Sequence, residues 1–153
     1  MNRGRSTGIV RRRVWTQLAA VVLACWLGIA AAASSLPQSE WQAIQRVIAA
    51  QRDAILAGDA ERAFAYATPG IRQQFGDAAT FLAMVDAAYG PLESARYVEF
   101  LEGAVIEGIV VQPLRLIDAD NTVRVALYTM EKQPGGEWRI SSCRIAPSTV
   151  RAA

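Results

Sequence analysis

The chain has 153 residues, 52% of them apolar and 20% charged, a composition that folds rather than stays disordered. Sixteen Lys and Arg against 14 Asp and Glu give a formal charge of +2, and there is no histidine. That last fact excludes Ser-His-Asp triads, Cys-His dyads, HExxH zinc sites and imidazole pH switches, and two cysteines alone do not complete a structural zinc site.

Arg3, Arg5, Arg11, Arg12 and Arg13 open the chain, and no charge follows from Val14 to Ser39. Leu18 to Ala33 is a nearly unbroken apolar run that ends in Ala31-Ala32-Ala33. A basic start, an apolar middle and a small-residue site make a secretory signal peptide. Cleavage is expected after Ala33, leaving one domain over residues 34–153 in the periplasm or outside the cell. Two other readings stay open. Residues 14–33 are long enough, at about 20 residues, to stay as an inner-membrane anchor. Val22-Leu23-Ala24-Cys25 is a lipoprotein-type context for acylation at Cys25. The leader holds five of the 16 basic residues and none of the acidic ones, so residues 34–153 carry a net charge of −3. The overall basicity therefore belongs to the leader. With no basic-aromatic stretch beyond it, nucleic acid is not an expected partner, and membrane contact is expected only through an uncleaved N-terminal segment.

Ser39 and Gln42 form a capping box, which predicts a helix start there. Trp41, Ile44, Ile48 and Ile55 then fall on one stripe, with Gln45, Arg46, Arg52 and Asp53 on the wet side. Ala57-Gly58 should end this helix, and Asp59 should cap a short second one with Phe64 and Ala67 facing inward. Thr68-Pro69-Gly70 reads as a break, with one more turn through Ile71 and Phe75. Asp77 should cap a third helix with apolar Phe81, Leu82, Val85 and Ala88 at helical spacing and Phe81, Val85 and Ala88 as its buried stripe, stopped by Gly90-Pro91.

After Pro91 the texture turns to strands. Arg96–Leu101 alternates weakly, and Val105–Ile117 is long and β-branched. Thr122–Lys132 and Trp138–Ile145 should form a hairpin around Pro134-Gly135-Gly136. Gly103 and Gly108 suggest bulges or bends, and Pro113 argues for an edge position. Three helices before about four antiparallel strands make an α+β domain, with the helices covering one face of a curved sheet.

Two stretches, Ala43–Val85 and Ala126–Ile145, resemble a bacterial exported family known as domain of unknown function 4864. The helix-Gly-Asp-helix opening and the closing Trp-x-Ile strand also resemble the wider NTF2-like (SnoaL-like) group. That second resemblance implies a cone of helices cupped by a bent sheet. It supplies no activity, because the group includes isomerases, dehydratases, transport factors and inert binding modules.

Candidate chemistry is sparse. Asp118-x-Asp120-Asn121 opens like a calcium loop, but Thr122 and Val123 stand where that loop needs Asp or Asn and then Gly, so a hairpin turn is expected. Cys143, within a strand, reads as a buried thiol. Asp86 is the candidate catalytic acid, beside Tyr66 and Tyr89 in an acid-plus-phenol arrangement, although it lies about 100° around the helix from Val85. Tyr66, Tyr89, Tyr128 and Trp138 are candidate ligand-binding residues, apolar bodies with polar handles. Arg96, Arg115 and Arg124 would mark an anionic ligand only if one pointed inward. If Glu131 faces Trp138, then Tyr128–Ser141 and Ala126–Cys143 share a face, and a slip of one residue reverses that. No metal site, phosphate loop or dinucleotide fingerprint is present in the sequence, and no cofactor is expected. The leading expectation is a non-catalytic module for a small apolar or amphipathic molecule or an envelope protein. The alternatives are an isomerase or hydro-lyase using a buried carboxylate and a tyrosine hydroxyl, and a homodimer-forming structural module.

Overall fold

The computed structural model describes residues 36–146. Signal cleavage after Ala33, an anchor over residues 14–33 and acylation at Cys25 all lie outside the described residues. Helix α1 (Gln38–Leu56) buries Ile44, Ile48, Gln51, Ala54 and Ile55 along the expected stripe. Its start differs from the expected capping box. The Pro37 carbonyl accepts the Glu40 and Trp41 amides at 2.9 and 3.3 Å, and no side chain caps the helix. Pro37 takes the N-cap position with an extended ψ of 150°, which leaves Ser39 inside the helix.

Gly58 ends α1 with φ +66°, a left-handed conformation that suits glycine. Asp59 then caps α2 (Ala60–Ala65) by accepting the Arg62 amide at 3.1 Å. Phe64 and Ala67 are buried, as their spacing implies. The Thr68-Pro69-Gly70 segment starts a helix rather than merely breaking the chain. Thr68 caps α3 (Pro69–Phe75), and Pro69 takes the first position, where its missing N–H costs nothing. Asp77 caps α4 (Ala78–Ala88), accepting both the amide and the hydroxyl of Thr80. Phe81 and Val85 are buried, but Ala88 is exposed because α4 ends there. Pro91 likewise opens a further short helix, α5 (Gly90–Ser94), whose Leu92 is buried. The described residues thus hold five helices where three were expected.

The domain is α+β, with an open antiparallel sheet of five strands rather than about four. These are β1 (Tyr97–Phe100), β2 (Ala104–Ile106), β3 (Ile109–Ile117), β4 (Val123–Lys132) and β5 (Trp138–Ala146). The order is β1-β3-β4-β5, with β2 paired to β3 further along the same side as β1. The extra strand arises where the β-branched run folds back at Glu107 (φ 50°) and Gly108 (φ 81°). Positive φ at both positions is the tight hairpin geometry that matches strand twist, so Gly108 is a turn and not a bulge.

Pro113 lies in β3, between β1 and β4, and not on an edge strand. It is tolerated because it falls at the break between β1 and β2. Its carbonyl accepts the Leu101 amide at 3.1 Å, so its nitrogen faces the same side, where the partner strand is interrupted. Gln112 fills that break from the inner face. Its Nε2 donates to Leu101 O at 2.7 Å and Pro113 O at 3.0 Å, and its Oε1 accepts from Gln45 at 3.3 Å. Gly103 sits there too, with the Trp41 ring occupying the space a Cβ would need.

The β4–β5 register also differs from the one considered from sequence. Lys132 faces Trp138, Glu131 faces Arg139 and Met130 faces Ile140. The pairing then shifts by one, so that Thr129 faces Ser142 and Tyr128 faces Cys143. Ser141 is the extra residue of a β-bulge. Across it, Trp138 and Ile140 on one side and Cys143 and Ile145 on the other all turn toward the helices. The helix-covered inner face therefore carries Ala126, Tyr128 and Met130 of β4. Val111, Pro113, Val125 and Leu127 alternate with them on the outer face, half-buried.

Two apolar cores result. One joins Ile44 and Ile48 of α1 and Leu92 to Leu114, Leu116, Tyr128 and Ile140 of the sheet. The other joins α1, α2 and α4 through Ala54, Phe64, Phe81 and Val85. The α2–α3 linker runs along β5, with Ile140 N–H donating to Tyr66 O and Thr68 N–H to Ile140 O, both at 2.9 Å. That contact covers part of an otherwise free sheet edge.

A separate anchor ties the start of α1 to the last hairpin. Glu40 accepts from Trp138 Nε1 at 2.5 Å and from Lys132 Nζ at 2.8 Å, while Lys132 also lies 5.7 Å from the centre of the Trp138 ring. The Lys132 hydrogen bond first, then that of Trp138, hold the Glu40 carboxyl below its ordinary value. A carboxyl depressed on folding contributes stability above its unfolded pKa and loses it as pH falls toward the folded one. Thermal melts are therefore expected to drop as pH falls through the mid-4s and below. Glu40→Gln should flatten part of that fall, the rest belonging to groups such as Asp77, held low by Thr80. A variant whose acid profile matches the parent would remove Glu40 from the account.

Candidate functional site

A cleft of about 220 Å³ opens where the two cores meet. Helix α1 contributes Gln51 and Ile55; α3 contributes Ile71 and Phe75; α4 contributes Phe81, Met84 and Val85. Tyr89 and Leu92 close one end, and Tyr128, Ile140 and Cys143 form the sheet wall. Its helical wall is largely apolar because these side chains are the inner stripes of short helices meeting at an angle.

Beside Gln51 on α1 and Gln74 on α3, polar groups stand on the sheet side of the cleft. Tyr128 and Cys143 are cross-strand neighbours on the inner face. Tyr89 reaches across from the end of α4 to donate its hydroxyl to Cys143 O at 2.8 Å. Burial pushes the Cys143 thiol up to about 12, against a smaller opposite pull from the Tyr128 hydroxyl. Burial also raises Tyr128 and Tyr89, and the adjoining Cys143 adds to both shifts. All three groups are thus neutral at physiological pH, and Cys143 is a poor nucleophile there.

The four aromatic candidates divide into two pairs. Tyr89 and Tyr128 line the cleft, whereas Tyr66 and Trp138 line a shallow groove beside Glu40, Ala43 and Val47 on α1. Asp86 is exposed on α4 and is not among the residues lining the cleft; its neighbour is Glu93, whose carboxyl is raised by burial and then by the Asp86 charge. The strand arginines are engaged elsewhere. Arg115 pairs with Glu99 at 2.9 Å and Arg124 with Asp118 at 3.4 Å, while Arg96 donates to Asp118 O and Asn121 Oδ1. These contacts fasten the Asp118–Asn121 segment as the β3–β4 turn, with Asn121 at φ 62°. Among the described residues no group of three Cys, Asp or Glu side chains is placed to hold a metal ion.

Gln51, Phe75 and Met84 were not anticipated at the site. For Gln51 a signal existed, since it lies three residues after Ile48 and four before Ile55, on the buried stripe of α1. Phe75 and Met84 carry no comparable mark, because their role depends on how α3 and α4 meet.

The fold and cleft define an α+β domain whose short helices and last hairpin enclose a mostly apolar pocket with a polar corner. The chain belongs to the family described as domain of unknown function 4864, whose model matches residues 37–153. No curated protein and no solved structure matches it.

Proposed function

We propose that the protein is an exported binding domain, built on an NTF2-like plan, that holds a small apolar or amphipathic molecule in the cleft. The observation that carries this reading is the cleft itself. Protein interiors leave few voids larger than a water molecule, yet about 220 Å³ stands open between the two cores. A cavity of about 150 Å³ accepts benzene, so a ligand somewhat larger than benzene fits. The helix-first order and the packing of α1 on the inner sheet face support the NTF2-like plan. The basic, apolar and small-residue leader supports export.

A binding role is favoured over an isomerase because, among the described residues, no Asp or Glu lines the cleft. Acid–base chemistry at a substrate carbon needs such a group within hydrogen-bond reach. Native mass spectrometry of protein recovered from its own cell envelope tests the proposal. A non-covalent adduct is expected, and it should disappear in Met84→Trp, where the larger side chain fills the cleft. An adduct that persists in a folded Met84→Trp protein would place the ligand elsewhere.

A further inference from the structure

We infer that the molecule held in this cleft is uncharged and presents a hydrogen-bond donor to the Gln51 carboxamide oxygen, an inference that rests on the binding reading above. The first half follows from the lining. None of the 15 described residues around the cleft is ionised in its ordinary state at neutral pH, and the phenols and thiol at its sheet wall are held neutral by burial. A cation that acts on Tyr128 is Arg52. Its guanidinium is spent on Leu92 O at 3.0 Å and Ala95 O at 3.3 Å, and Arg52 does not line the cleft. An ion entering would lose its hydration and meet no opposite charge.

The second half follows from Gln51. The residue is 5% exposed, and its Nε2 donates to Ala63 O at 3.2 Å. Its Oε1 has no hydrogen-bond partner among the described residues, while the residue forms part of the cleft wall. The Tyr89 hydroxyl is committed to Cys143 O, and the Tyr128 hydroxyl adjoins the Cys143 thiol. The donors at the sheet wall are thus spent, and what the cleft still offers is acceptor oxygen, that of Gln51 on the helical wall included; an acceptor is satisfied by an O–H or N–H. A site shaped this way discriminates against a ligand of the same size that lacks the donor.

Four probes of one size separate the possibilities: toluene, phenol, benzoate and benzylamine, each titrated into the full chain at neutral pH by ligand-observed NMR. Phenol is expected to bind about tenfold tighter than toluene. Benzoate and benzylamine should bind on the order of a hundredfold more weakly than phenol. Toluene binding as tightly as phenol would overturn the donor requirement while leaving the cleft reading intact. Benzoate or benzylamine matching phenol would overturn the neutrality requirement. Silence from all four would overturn the cleft reading and this inference with it. In Gln51→Leu the preference for phenol over toluene should vanish. Because that change also removes the bond to Ala63 O, the comparison on the unaltered chain decides the matter if the variant does not fold.

Discussion

Tyr128→Ala is expected to destabilise the domain by about 3–5 kcal/mol, the range for deleting a buried aromatic ring. Tyr128 is 1% exposed and stands at the centre of β4's inner face, between Gln112 and Cys143. Its ring belongs to the sheet-side core and also to the floor of the cleft, so its removal would extend the cleft into the core. Domains of this kind are stable by only about 5–15 kcal/mol, so the loss would be a large share of the whole. Tyr128→Phe keeps the volume and removes only a hydroxyl whose neighbour is a thiol, a change expected to cost under about 1.5 kcal/mol. Urea titration checks both. The midpoint should fall sharply for alanine and little for phenylalanine, with the slope nearly constant. Equal midpoints for the two variants would mean that the hydroxyl, and not the ring, carries the effect.

Gln112→Leu is the second large effect, expected at about 1–3 kcal/mol from a change that hardly alters volume. The reason is the break between β1 and β2. There the Gln112 amide stands in for the missing ladder, donating to Leu101 O and Pro113 O and accepting from Gln45. Gln112 is wholly buried, and leucine would take the side-chain donor from Leu101 O while Pro113 O keeps the Leu101 amide, at about 1–3 kcal/mol for the orphaned group. Hydrogen exchange should locate the damage. Protection of the Leu101 amide, which donates to Pro113 O, should fall before that of the β3–β4 ladder. Uniform loss across the sheet would instead indicate a general packing defect.

Local chemistry was legible wherever one side chain acts on its own backbone. Asp59 and Asp77 cap helices, Gly58 terminates one, and the residues around Pro134-Gly135-Gly136 turn a hairpin, all within a few positions of the feature they create. What escaped was non-local or depended on competition. Pro37 displaced the Ser39 cap by taking the N-cap position itself. Pro113 escaped the edge rule because the strand beside it is interrupted, a fact about residues 101–103 and not about the proline. The run from Val105 to Ile117 hid a turn because Glu107-Gly108 is a weaker signal than Asn-Gly.

The site was legible only in part for the same reason. Tyr89 and Tyr128 are individually plausible wall residues, but their union with Cys143 needs the β4–β5 register. That register turns on Ser141, which no alternation pattern singles out. Tyr66 and Trp138 have the same amphipathic character as the other pair, yet the end of α2 and the start of β5 carry them to a separate groove beside α1.

The bulge at Ser141 makes residue count, and not only residue type, a determinant of this fold. Each half of β5 is tied down separately, the hairpin half through Trp138 to Glu40 and the cleft half through the Cys143 carbonyl to Tyr89. Deleting one residue between Ile140 and Cys143 would make the ladder more regular. It would also bring both halves into one alternation with the tryptophan and the thiol still facing inward, because it is the present spacing of three between Ile140 and Cys143 that needs the bulge. The pattern of this strand thus accommodates the loss of its extra residue, while the turn at residues 134–136, outside the ladder and free of any parity to preserve, can take up an insertion.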